Sequence, residues 1–167
     1  MRSQPSQGLT EIQVSALEAK GDDMAKIERT ICIDAPVEKV FGYMLDPINL
    51  LEIWPSMVEI KDVQRMPEHV GTTYNWVYKM AGMRFEGSTQ VIESSVNRHM
   101  VVKSKGGIPS SFTWVYQNES GKTKLTVEVE YAIPMPLLGK LAEAIIVKQN
   151  EHEADVLLAN LKSRMEA

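Results

Sequence analysis

An α+β fold, a seven-stranded curved antiparallel sheet wrapped around one long C-terminal helix, is predicted by three features of the chain. Its final stretch, Pro136 to Ala167, carries helical periodicity and has neither Gly nor Pro after Gly139. Its middle is a series of alternating apolar and polar segments joined by very short turns. Two short helical segments separate the first strand from the second.

Residues Met1–Asp23 are rich in Ser, Gln and Gly and hold only a weak helical patch at Leu9, Ile12, Ala16 and Leu17. They are expected to be a leader, either flexible or a short docked helix. A single domain follows over residues 24–167. Lys26–Asp34 sets Ile27, Arg29, Ile31 and Ile33 against Glu28, Thr30 and Cys32, the alternation of a half-buried strand in which Arg29 breaks the apolar phase. Asp34 is positioned to cap a helix beginning at Pro36, with Val37, Val40, Phe41 and Met44 at helical spacing. A second short helix over Pro47–Ile53 has to stop before Trp54-Pro55, because the residue before a proline is pushed out of the α region.

Six further strands are read over Met57–Met66, Thr72–Met80, Met83–Ser95, Arg98–Ser104, Ser111–Glu119 and Lys122–Ile133. The turns between them, among them Ala81-Gly82 and Ser120-Gly121, are short enough to require an antiparallel meander. The clearest inward faces are Tyr74, Trp76, Tyr78 and Met80; Phe85, Gly87, Thr89 and Val91; Phe112, Trp114 and Tyr116; and Leu125, Val127, Val129, Tyr131 and Ile133.

After the breakers Pro134 and Pro136, the last helix would run roughly 40 Å at 1.5 Å per residue. It offers two stripes. One passes Leu138, Leu141, Ile145, Gln149, His152 and Val156; the other passes Ile146, Asn150, Ala154, Leu157, Leu161 and Met165. Neither is apolar throughout, because the run Lys148–Glu153 is polar. That turn either faces water across an opening or brings a polar contact to something bound, and the sequence leaves both open.

Composition narrows the function. A chain of 167 residues with 44% hydrophobic and 24% charged residues is an ordinary globular domain with a sizeable core. A net charge of -4 without a Lys/Arg cluster argues against nucleic acid as a partner. No apolar run is long enough for a membrane span, and no integral membrane association is expected. The single Cys32 reads as a packing or surface residue, and a cytoplasmic location is the default. The sequon Asn118-Glu119-Ser120 carries no weight without export.

The element order, together with Ile27-Glu28-Arg29-Thr30-Ile31, Ile33-Asp34-Ala35-Pro36-Val37-Glu38-Lys39-Val40-Phe41, Asp46-Pro47, Leu51-x-x-Trp54-Pro55 and the closing Leu158-Ala159-Asn160-Leu161-Lys162, resembles the START-like helix-grip superfamily, or SRPBCC. The resemblance covers Met24–Ala167 and takes in polyketide cyclase/dehydrase, lipid-transport, birch-pollen-allergen and coenzyme Q-binding types. It implies an internal apolar cavity between sheet and helix, closed at one end by the short helices. It carries no catalytic position over, because catalytic residues differ from subfamily to subfamily.

Candidate ligand-binding residues are the aromatic wall positions Trp54, Tyr74, Trp76, Tyr78, Phe85, Trp114, Tyr116 and Tyr131, and from the helix Leu141, Ile145, Gln149 and His152. Each is also an ordinary core or helix-surface position. Ten methionines, Met57, Met66, Met80 and Met83 near strand ends, could line an adaptable pocket or simply fill core. His152 is the best single acid-base candidate, and a cavity Tyr or an Arg, Arg84 or Arg29, is the alternative. Three scattered histidines and one cysteine give no metal-ligand spacing, so no metal and no cofactor is expected. Binding or transport of a lipid, quinone or polyketide-like molecule is the first reading. A cyclase/dehydratase-type enzyme is the alternative, and an accessory protein-interaction module the third. Oligomeric state is not legible.

Overall fold

The computed structural model describes residues 24–133 and 139–167. The leader, the breakers Pro134 and Pro136, and Leu138 lie outside the described residues. The elements are β1 (Met24–Ile33), α1 (Val37–Met44), a 3-10 turn (Pro47–Asn49), α2 (Leu50–Ile53), β2 (Met57–Gln64), β3 (Thr73–Met80), β4 (Met83–Ser95), β5 (His99–Gly106), β6 (Ser110–Glu119), β7 (Lys122–Ala132) and α3 (Gly139–Glu166).

All seven strands form one antiparallel sheet in the order β1-β7-β6-β5-β4-β3-β2. After β1 the chain crosses by the two short helices to the far edge, then returns strand by strand until β7 pairs with β1 from Met24↔Ala132 to Ile33↔Thr123. Tight hairpins enforce the meander. Ala81 and Gly82 join β3 to β4 with φ of 50° and 76°, and Ser120 and Gly121 join β6 to β7 with φ of 55° and 85°; positive φ at both central residues matches the twist of the strands they join. Register shifts in β2 and between Val91 and Glu93 of β4 interrupt the ladders, and such irregularities bend a sheet.

The expected cap at Asp34 is corrected. Pro36, with φ -61°, is the N-cap residue of α1 and has no side-chain cap bond, its ring already fixing the entry geometry. The Asp34 backbone N–H instead donates to Glu166 Oε1 at 2.7 Å. Together with the Lys162 ammonium, that bond holds the Glu166 carboxyl below the usual range. The second short helix is a 3-10 turn leading into α2, started by Asp46, whose carboxylate accepts from the Ile48 N–H at 3.1 Å.

The two halves of α3 are held differently. In the C-terminal half Leu157, Leu158, Leu161 and Met165 are buried, and polar ties surround them. Lys162 Nζ donates to the Cys32 carbonyl at 2.6 Å, Lys39 Nζ to the Met165 carbonyl at 2.6 Å, and Asn160 Nδ2 to the Ile53 carbonyl at 3.0 Å. Arg29 Nε pairs with Asp155 at 2.7 Å, so its break in the β1 phase marks where the helix crosses the sheet edge and not a cavity position. Arg164 pairs with Glu52 at 2.8 Å, and Tyr43 donates to the same carboxylate at 2.6 Å, joining α1, α2 and α3. In the N-terminal half Ile146 is buried, while Leu141 and Ile145 are 79% and 60% exposed. A cavity lies between the sheet and the middle of α3.

Candidate functional site

The cavity has a volume of about 120 Å³. One water needs ~10–15 Å³ on that measure, so the space suits a small organic molecule. Its walls come from nearly every element. Strand β3 supplies Tyr74, Trp76, Tyr78 and Met80; β5 and β6 supply Met100, Val102, Phe112 and Trp114; β7 supplies Val127, Val129 and Tyr131. The end closed by the short helices is lined by Met44, Leu45, Pro47, Leu50 and Trp54. From α3 come Asn150, Glu153, Ala154 and Leu157, which at i, i+3, i+4 and i+7 are one face of a helix.

Aromatic rings shape the walls. Trp54 meets Tyr78 and Phe112 edge to face, each with ring centroids 5.5 Å apart, and Phe112 stacks on Trp114 at 6.4 Å. Across the β3–β4 ladder Trp76 is paired with Gly87, and a Cβ there would collide with the indole ring and with the Lys105 carbonyl. With no side chain beneath it, the indole lies over β4. Its Nε1–H donates to Thr89 Oγ1 at 3.0 Å, and the Thr89 hydroxyl in turn hydrogen-bonds Ser104 Oγ. Thr89 and Ser104 also line the cavity, a small polar spot in an otherwise apolar wall.

A second polar spot is made by Trp54 at the end of α2, Tyr131 of β7 and Glu153 of α3. Trp54 Nε1, Tyr131 Oη and Glu153 Oε2 are all buried, all belong to cavity-lining residues, and none has a hydrogen-bond partner among the described residues. Asn150 lies close to the Tyr131 hydroxyl but its Nδ2 donates to Met80 Sδ at 3.3 Å. The Tyr78 hydroxyl faces Glu153 and the Trp54 indole. Buried polar atoms normally find partners, at a cost of roughly 1–3 kcal/mol each when they do not. A donor, a hydroxyl and an acceptor-only carboxylate are gathered around the Tyr78 hydroxyl.

Burial pushes the Tyr74 hydroxyl up to about 12, and burial with the nearby Glu153 charge pushes Tyr78 up to about 12. Burial also raises Tyr131 and Tyr116, and burial with the Glu52 hydrogen bond takes Tyr43 to about 12. In each the folded state keeps its proton after the unfolded chain, near 10, has lost it. The stability this represents is complete below pH ~10 and is lost as pH rises toward ~12, about 3 kcal/mol each for Tyr74 and Tyr78. In an alkaline titration the five tyrosines are expected to ionise late and together with loss of near-UV circular dichroism. Tyrosinate forming near pH ~10 in a folded chain would contradict this.

Of the candidates read from the sequence, Trp54, Tyr74, Trp76, Tyr78, Trp114 and Tyr131 line the cavity. The other placements are corrected. Tyr116 is buried beyond the cavity's end, edge to face with Phe41 at 5.1 Å. Phe85 has inward parity but sits near the β3–β4 hairpin, where it packs on the edge of the core. Leu141, Ile145, Gln149 and His152 lie on the stripe of α3 turned away from the cavity, with His152 exposed. Arg84 is exposed as well and pairs with Glu86 at 2.9 Å. Met57 and Met80 line the cavity, whereas Met66 is 48% exposed.

Sequence reasoning missed Glu153. The stripe through Asn150, Ala154 and Leu157 passes it, and the polar run that left two readings open divides accordingly: Asn150 and Glu153 turn in, Lys148 and His152 out. Among the described residues no group of His, Cys, Asp or Glu could hold a metal ion, and no helix is long and apolar enough to cross a membrane.

A family model described as polyketide cyclase / dehydrase and lipid transport matches residues 24–166. No curated protein sequence matches the chain. Solved structures share the fold at low identity. A protein from Thermus thermophilus is 20% identical with a TM-score of 0.74, over 84% of this chain and 97% of that one. A START superfamily protein from Mycobacterium smegmatis is 14% identical with a TM-score of 0.70, over 84% and 97%. An aromatase/cyclase from Streptomyces sp. R1128 is 13% identical with a TM-score of 0.67, over 86% and 97%. At these identities the likeness is one of fold.

Proposed function

Because the chain belongs to the polyketide cyclase/dehydrase and lipid-transport family, we propose that it binds a hydrophobic small molecule in the cavity between sheet and α3 and releases it unchanged. The observation that carries this reading is the trio Trp54 Nε1, Tyr131 Oη and Glu153 Oε2, buried and unpartnered among the described residues in a wall that is mostly apolar and aromatic. A few placed polar atoms in an apolar concavity are what orient a small ligand. The compartment in this reading is the cytoplasm, with which the exposed free thiol of Cys32 is in keeping.

The test is mass spectrometry of an organic extract of natively purified protein beside a blank of similar size, followed by adding the extracted compound back while tryptophan emission is recorded. A stoichiometric apolar compound that alters the emission is the expected result. An apolar compound recovered chemically changed after incubation would replace the carrier reading with a catalytic one.

One observation favours that catalytic reading. Glu153 presents an acceptor oxygen toward the Tyr78 hydroxyl, an arrangement suited to proton transfer on a bound substrate. In a cyclase or dehydratase of this build the acid-base group is Glu153, in place of His152 or Arg84.

A further inference from the structure

We infer that Glu153 selects ligands by their polar end: the cavity takes an apolar molecule that terminates in a hydrogen-bond donor, a phenol, alcohol or protonated amine, and turns away one that terminates in a carboxylate. This rests on the carrier reading and adds a specificity to it.

The argument begins with what the polar spot can and cannot bond. A carboxylate oxygen only accepts, so Glu153 Oε2 asks for an O–H or N–H. Trp54 Nε1 only donates, and like Glu153 it lies at the Tyr78 hydroxyl, so the spot also holds a hydrogen for a lone pair on the ligand's head. The Tyr131 hydroxyl can do either. A phenol or alcohol satisfies both demands at once, its proton going to Glu153 and its oxygen accepting from Trp54 or Tyr131. An amine brings N–H groups and, when protonated, an opposite charge.

A carboxylate head fails on two counts. It has no hydrogen to give Glu153, and it adds a second negative charge where burial strengthens repulsion. Among the described residues no Arg or Lys lines the cavity and none pairs with Glu153, so no cation is present to receive an anionic head. Arg29 and Arg164 are engaged with Asp155 and Glu52. The body of the ligand meets rings and aliphatic side chains that carry no such preference.

The experiment uses three probes with the same body: para-butylphenol, para-butylbenzylamine and para-butylbenzoate, titrated calorimetrically into the wild-type chain at neutral pH, and then into Glu153→Gln and Glu119→Gln. The phenol and the amine are expected to bind at least about tenfold more tightly than the benzoate. Glu153→Gln, whose amide both donates and accepts, is expected to bring the phenol and the benzoate to within about threefold of each other. Glu119→Gln, an exposed carboxylate at the end of β6 outside the cavity wall, is expected to keep the wild-type preference. Equal binding of all three probes to the wild type overturns the inference and leaves the carrier reading standing, as does an undiminished preference in a folded Glu153→Gln. Failure of the wild type to bind any of the three overturns both.

Discussion

Gly87→Val is expected to cost the chain roughly 3–5 kcal/mol, enough to bring its unfolding midpoint in urea down sharply or to leave it unfolded. A Cβ at this position meets the Trp76 indole on one side and the backbone carbonyl of Lys105 on the other. The carbonyl belongs to the neighbouring strand and cannot yield without breaking the β4–β5 ladder, in which Gly87 is paired with Gly106. The indole has to move. In moving it gives up the bond from Nε1 to Thr89 and leaves the indole N–H without its acceptor. Gly42 is the control. A Cβ added there in α1 meets nothing within 4 Å, so Gly42→Ala is expected to be neutral or stabilising by a few tenths of a kcal/mol up to ~1 kcal/mol. Equal midpoints for Gly87→Val and the wild type would show that Trp76 does not lie where the cavity wall requires it.

The second large effect is on binding. Ala154 lies on the cavity face of α3 between Asn150 and Leu157. Ala154→Phe puts a ring into a space of about 120 Å³ while keeping an apolar residue in the helix. Affinity for para-butylphenol is expected to fall by ~100-fold, equivalent to about 2.7 kcal/mol, with the helical circular dichroism unchanged. The thermal midpoint is expected to hold or rise, since added apolar contact replaces empty space. Unaltered affinity in Ala154→Phe would place the ligand elsewhere.

Much of this was legible because the periodicities are strong where burial is one-sided. The run Tyr74, Trp76, Tyr78 alternates with Asn75 and Lys79 and declares its inner face, as Leu125, Val127, Val129 and Tyr131 do on β7. Asp34 misled because its type suits a cap while Pro36 had already fixed the chain's entry into α1. The rotation of α3 misled for a different reason. Leu141 and Ile145 are apolar, and apolar residues usually mark the buried side, yet both face outward, and the side facing the cavity is marked by Asn150 and Glu153. A helix that covers a cavity need not present an unbroken apolar stripe to it. The choice between stripes depends on the ties of its other end, such as Arg29 to Asp155 and Asn160 to the Ile53 carbonyl, which join residues more than a hundred positions apart. Periodicity within one helix does not contain that information. Phe85 and Tyr116 had the right parity and the wrong height along their strands, a coordinate that alternation cannot supply.

The most direct measurement is a proton–nitrogen correlation spectrum of the three tryptophan indoles, taken as para-butylphenol is added. Trp76 Nε1–H is already bonded to Thr89, whereas Trp54 Nε1–H has no partner among the described residues. If the ligand sits in the cavity with its oxygen at the α3 spot, the Trp54 indole resonance moves downfield as it gains an acceptor and the Trp76 resonance moves little. Saturable binding that leaves the Trp54 indole proton where it was, or that shifts Trp76 instead, would contradict the account.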